Sequence, residues 1–165
     1  MILVVVGNAT QGFSRLLKAV DELAGDGFFK GEQVFMQSGH TAEFRADHCR
    51  QRDFLSLEDF VAMTSKARLI ICHAGAGTLL HAVKEGRVPV VMPRRKRYRE
   101  HIDDHQVQLV NALTVEGKIV PAFEPIDLPL AIDDASRRRC EPASGPPPRM
   151  LSLVSEAIEQ FLEDR

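Results

Sequence analysis

The stretch Cys72-His-Ala-Gly-Ala-Gly-Thr-Leu-Leu-His81 (CHAGAGTLLH) decides how this chain is read. The residues before it, Arg68 to Cys72, form a short apolar run that reads as a strand. The residues after it, Thr78 to Glu85, carry helical spacing. Two glycines and a threonine therefore fall where a strand gives way to a helix. Glycine lets the backbone turn sharply and approach a ligand closely. The following helix presents unpaired N–H groups and the positive end of its dipole. A phosphate or diphosphate is the natural occupant of such a place, and Thr78 adds a hydroxyl donor. The same turn is also compatible with a tight junction that holds no ligand. A dinucleotide fingerprint is not met, because Leu80 stands where the third glycine of GxGxxG falls.

The rest of the chain supplies the frame for that junction. Met1 to Gly7 is a continuous apolar run, as in a strand covered on both faces. Leu16, Leu17, Val20, Leu23 and Ala24 repeat at helical spacing, and Gly25 and Gly27 end the segment. Glu32 to Gln37 reads as a second strand, while His40 to Arg52 is polar and undecided. Ser56-Leu-Glu-Asp59 has the spacing of a capping box and opens a helix through Lys66. Downstream come a strand at Val88 to Met92, a basic loop, a helix from Asp103 to Glu116 and a strand from Lys118 to Ala122. Strands alternating with helices predict an α/β, Rossmann-like fold: a parallel sheet with helices on both faces. The expected organisation is a domain over residues 1–135, a Pro/Arg-rich linker over 136–149 and an amphipathic helix over 150–165. In that helix Leu153, Val154, Ala157, Ile158, Phe161 and Leu162 share one face.

Composition narrows the function classes. The chain has 165 residues, 44% of them hydrophobic, enough for one domain with a core. Its formal net charge of -2 gives no general reason to expect nucleic-acid binding. No apolar run approaches the roughly 20 residues of a membrane-spanning helix. The apolar start reaches Gly7 too soon for a signal peptide and has no basic lead. The three cysteines, Cys49, Cys72 and Cys140, are widely spaced and make no metal-ligand pattern, so a reduced, cytoplasmic protein without a metal is expected. A second polar, glycine-bearing loop, Asn8, Thr10, Gln11 and Gly12, follows the first strand. In a parallel sheet it lies on the same edge as the Gly75 loop, which points to a ligand cleft between them. Asn8 and Thr10 are equally suited to plain helix capping.

The run HAGAGTLLHAVKEGRVPVVMPRRKRYREHIDDHQVQLVNAL resembles the C-terminal, donor-binding half of UDP-sugar glycosyltransferases of the GT-B type, glycosyltransferase family 28. The likeness is strongest to small stand-alone catalytic subunits of two-piece transferases, of the dolichol-linked N-acetylglucosaminyltransferase or bacterial exopolysaccharide kind. MILVVVGNATQGFSRLLKAVDELA, QVFMQSGH and DFLSLEDFVAMTSKARLIICHAGAG fit as well, so it covers Met1 to about Leu130. The resemblance implies transfer of a sugar from a UDP-sugar to a lipid-linked acceptor, with inversion. It implies that Gly75, Ala76, Gly77 and Thr78 hold the diphosphate and that Phe54 and Leu55 meet the uracil base. Asn8, Thr10 and Gln11 would approach the diphosphate or the sugar, and Asp104, His105 and Gln106 would read the sugar hydroxyls. The family usually has a glutamate on the ribose where this chain has His81. Neutral imidazole accepts one hydrogen bond and cannot bridge two hydroxyls as a carboxylate does.

Other readings stand beside these. His73 and His105 are candidate catalytic or ligand-facing groups, or structural histidines, and His40 has a weaker claim. Gln106, three residues after Asp103, also fits a capping box. The loop Pro93-Arg-Arg-Lys-Arg-Tyr-Arg99 is either a solvated loop or a site for anionic head groups or an acceptor pyrophosphate, with Arg94 the member that the family motif supports. No general base can be named, although inverting transfer needs one. The expected partner is therefore a membrane-anchored acceptor-binding subunit, with the chain peripheral at the cytosolic face of the membrane. The alternatives are a non-catalytic nucleotide-sugar-binding or regulatory protein, and a UDP-sugar epimerase-like enzyme.

Overall fold

The computed structural model describes residues 1–138. The strands are β1 (Ile2–Val5), β2 (Val34–Gln37), β3 (Arg50–Arg52), β4 (Leu69–His73), β5 (Val90–Met92) and β6 (Val120–Pro121). The helices are α1 (Ser14–Gly25), α2 (Leu57–Lys66), α3 (Ala76–Lys84), α4 (His105–Val115) and α5 (Leu128–Arg137). The six strands form one sheet in the order β3-β2-β1-β4-β5-β6, every neighbouring pair parallel. β1 lies at the centre, with Val4 opposite Met36 on one side and Ile71 on the other.

The apolar run at the start of the chain explains that place. Successive side chains of a strand point to opposite faces. Ile2 and Val4 enter one core with Leu16, Leu17 and Val20 of α1 and Leu128, Ile132 and Ala135 of α5. Leu3 and Val5 enter the other with Leu79 and Val83 of α3 and Val110 and Leu113 of α4, against which Phe60 and Met63 of α2 pack. Only a strand apolar at every position can serve both layers. Between β1 and β4 the strand order reverses: the chain leaves β1 for a helix on one face and leaves β4 for a helix on the other. Loops that diverge in this way open a crevice at the carboxyl ends of the two strands.

Several local expectations are met or corrected. Ser56 caps α2, its hydroxyl accepting the Asp59 N–H at 3.0 Å, while the Asp59 carboxylate lies 3.7 Å from Arg52. The undecided segment contributes β3, the short edge strand. Helix α3 begins at Ala76, two residues before the expected start, so Gly77 and Thr78 belong to its first turn. α5 carries no sequence expectation. It follows a 3-10 turn at Pro125–Asp127, and its run to Arg137 takes in the first two residues of the expected linker. The remainder of that linker and the expected C-terminal helix lie outside the described residues.

Candidate functional site

The crevice between β1 and β4 is a cleft of about 420 Å³, within the range of small-molecule sites. Gly7 and Asn8 line it after β1, and His73, Gly75, Ala76, Gly77 and Thr78 line it at the end of β4 and the start of α3. The opposite wall is Leu55, Ser56, Leu57 and Phe60, leading into α2, with His81 of α3 beside it. Phe60 and His81 meet edge to face, their ring centroids 5.4 Å apart.

The first turn of α3 is the electrostatic feature of the cleft. Its N-cap is Gly75, which offers no side chain to the free N–H groups, and no acidic residue stands in the first turn. The unpaired donors of Ala76, Gly77 and Thr78 and the positive helix end therefore face the cleft. The two glycines have different reasons to be there. A Cβ at Gly75 would stand 2.1 Å from Nε2 of His73, and one at Gly7 would stand 2.5 Å from the same atom. Both positions must be bare because the imidazole edge lies between them. At Gly77 a Cβ would meet nothing within 4 Å. That bare backbone faces open space, which leaves room for a ligand to come close.

His73 is 9% exposed, with Nδ1 3.3 Å from the carbonyl oxygen of Val5. Burial pushes its pKa down to about 4, Arg94 and His101 act in the same direction, and the Val5 carbonyl opposes them. The ring is neutral at pH 7, and the Val5 contact is satisfied when Nδ1 carries the proton. Nε2 is then a lone pair between the two glycines. Gln37 fixes the end of β1: its Oε1 accepts the Gly7 N–H at 3.0 Å, and its Nε2 donates to the carbonyls of Gly7 at 3.1 Å and Asp53 at 2.8 Å.

The structure thus brings Asn8, Leu55, His73, Gly75, Ala76, Gly77, Thr78 and His81 to one cleft. Arg94 is a correction. It is 1% exposed, not a ligand-facing cation, and its guanidinium donates to the carbonyls of Gln11 at 2.7 Å, Val6 at 2.8 Å and Glu100 at 3.1 Å. It also lies over the Phe13 ring, 4.8 Å from the centroid. Burial lowers its pKa to about 10, with Glu100 opposing, so it stays charged while it braces the β1–α1 loop. Gln106 is the second correction. It completes no capping box, since its Oε1 accepts the Arg94 N–H at 3.0 Å and so holds the same brace.

The remaining expected site residues stand apart from the cleft wall. Thr10 is exposed, and Gln11 turns its carbonyl to Arg94. Phe54 is exposed and meets His40 edge to face. Asp104 accepts the Lys96 N–H at 3.0 Å, and His105 is exposed on α4, its Nδ1 3.2 Å from Oε1 of Gln108. Sequence reading missed Gln37, Ser56, Leu57 and Phe60 as cleft residues. The one available signal was a glutamine closing an otherwise apolar strand.

Comparisons agree with this architecture. A solved structure described as the glycotransferase of kitacinnamycin superposes with a TM-score of 0.62 at 15% identity, covering 96% of this chain and 39% of that one. The glycosyltransferase SnogD from Streptomyces nogalater superposes with a TM-score of 0.50 at 20% identity, covering 94% of this chain and 43% of that one. The chain therefore spans about two fifths of the length of these structures. At such identities the likeness is one of fold: the C-terminal half of GT-B glycosyltransferases. No curated protein gives a significant match. The family described as Glycosyltransferase family 28 C-terminal domain matches residues 1–147, a span that contains the whole sheet and every residue of the cleft, and the chain belongs to that family.

Proposed function

We propose that the cleft binds a UDP-sugar and that the chain is the donor-binding part of a glycosyltransferase that passes the sugar, with inversion, to a lipid-linked acceptor in polysaccharide or glycolipid synthesis. The observation that carries the reading is the uncapped start of α3, opening on the cleft without an acidic neighbour. Its N–H groups suit a diphosphate, and they stabilise the charge that grows on UDP as it departs. Gly77 lets the backbone approach that group, and the face of Leu55, Leu57 and Phe60 offers an apolar wall for a base. Calorimetry of the protein with UDP, ADP and NAD tests the assignment. UDP is expected to bind most tightly, and equal or stronger binding of NAD overturns it.

A non-catalytic nucleotide-sugar-binding role is the second reading. The observation in its favour is His81, which lines the cleft and packs on Phe60 where the resemblance leads one to expect a carboxylate. Turnover in the presence of an acceptor-binding partner separates the two.

A further inference from the structure

His81 follows Gly77 by four residues on α3 and lines the same cleft. Residues four apart on a helix share a face, and the helical rise sets His81 about 6 Å along the axis from Gly77. Phe60 of α2 meets the imidazole edge to face, the two ring planes 89° apart, and Leu55 and Leu57 continue that wall. Leu57 is 74% exposed, so apolar surface stands open there. In a nucleoside diphosphate the ribose is joined directly to the α-phosphate. Phosphates at the first turn of α3 therefore bring the ribose to the level of His81 and the base to the apolar wall. Two polar side chains stand with that wall, Ser56 and His81. The Ser56 oxygen already accepts the Asp59 N–H at 3.0 Å. No carboxylate is among the residues that line the cleft.

We propose that the cleft reads its donor without the ribose 2′-hydroxyl, so that thymidine diphosphate sugars serve here as well as UDP-sugars. The inference rests on the donor reading and narrows it to a property of His81. A carboxylate presents two oxygens on one side and can accept both hydroxyls of a ribose at once. The two nitrogens of an imidazole point away from each other, and in the neutral ring only one of them accepts. His81 therefore meets one hydroxyl of a vicinal pair. The 3′-hydroxyl is common to ribose and deoxyribose, so that single contact serves either sugar. A site built to bond a substrate hydroxyl rejects the analogue that lacks it, because its own buried polar group is left unpaired. Here loss of the 2′-hydroxyl leaves no such group behind. The 5-methyl of thymine adds apolar surface on the side where Leu55, Leu57 and Phe60 receive the base.

The test is calorimetry of the full chain with UDP, 2′-deoxyuridine diphosphate and thymidine diphosphate. The first two differ only in the 2′-hydroxyl, and the last two only in the methyl. UDP and its deoxy form are expected to bind within about three-fold of each other. The methyl should tighten binding by up to about four-fold. His81→Glu should restore discrimination, with UDP favoured over its deoxy form by at least about ten-fold. His81→Ala serves if the carboxylate disturbs folding, and it should weaken all three nucleotides alike. A ten-fold preference of the parent for UDP over the deoxy form overturns the proposal. An unchanged ratio in a folded His81→Glu variant, or unchanged affinities in His81→Ala, overturns it too, because His81 would then not meet the sugar. Binding of none of the three would overturn the donor reading itself and this inference with it.

Discussion

At the scale of single residues, His73 and its two glycines form one unit. Substitution at the glycines should separate fold from ligand. Gly75→Ala places a Cβ against the imidazole and is expected to cost about 1–3 kcal/mol of stability. Gly77→Ala meets open space inside a helical turn, so stability should hold or rise by up to about 1 kcal/mol. UDP affinity should nevertheless fall, because the new methyl stands where the ligand approaches. Denaturant melts beside calorimetry check both arms. The imidazole itself makes the fold sensitive to acid. Its folded pKa is about 4, below the ordinary value of 6.5. Above pH 6.5 the ring is neutral in both states and has no effect. As pH falls from 6.5 toward 4 the unfolded chain takes up a proton that the folded chain refuses, and stability drops by up to about 3 kcal/mol. Urea unfolding at pH 7 and pH 4.5 should show a steeper loss for the parent than for His73→Asn, which cannot titrate. Equal losses would mean that His73 is not the responsible group.

At the scale of elements, the loops owe their positions to a buried brace. Arg94 reaches from the end of β5 to carbonyls before and after the cleft loop of β1, and Gln106 of α4 holds its backbone. Arg94→Met keeps the bulk and leaves those carbonyls unpaired in the interior. A loss of about 3 kcal/mol or more is expected, together with weaker UDP binding as the β1–α1 loop loosens. Unchanged affinity in a folded variant would show that the brace does not shape the cleft. This brace also marks the limit of what the sequence discloses. Strand β1, the helix spacing of α1 and the Ser56 cap are legible because period and capping are local properties. The cleft loops are legible because a glycine-bearing junction between a strand and a helix of a parallel sheet falls at the carboxyl edge, where crevices open. Arg94 reads as a ligand-facing cation because the family motif singles it out among four other basic residues of an apparently solvated loop, and only the tertiary fold turns it inward. Gln106 reads as a sugar-facing residue or a cap because spacing cannot tell a bond to a ligand or to its own helix from one to a distant loop. α5 escapes notice because Pro125 and Pro129 interrupt its start, although proline at a first helical turn is well tolerated.

At the scale of the whole molecule, the proposed donor reading gives the cleft to the leaving group and not to the attacking one. Its lining has glycines, amide and hydroxyl side chains, apolar residues and two imidazoles, with no carboxylate. His73 points Nε2 between Gly7 and Gly75, beside the N-cap of α3, and His81 lies edge-on against Phe60. Inverting transfer needs a base on the acceptor hydroxyl, on the side of the sugar opposite the departing diphosphate. On the proposed donor reading the start of α3 faces the diphosphate, and the base then approaches from the open side of the cleft. The matched solved structures are more than twice as long as the portion aligned here, which leaves room in such proteins for a second wall. The expectation is therefore a division of labour. The isolated chain should bind UDP-sugar and transfer nothing to a lipid-linked acceptor, and adding a membrane-anchored acceptor-binding subunit should restore transfer. Calorimetry and a radiolabelled sugar-transfer assay, run on the same preparation, measure the two halves. Robust transfer by the chain alone would place the base within this polypeptide, and binding without transfer even beside the partner would favour the non-catalytic reading.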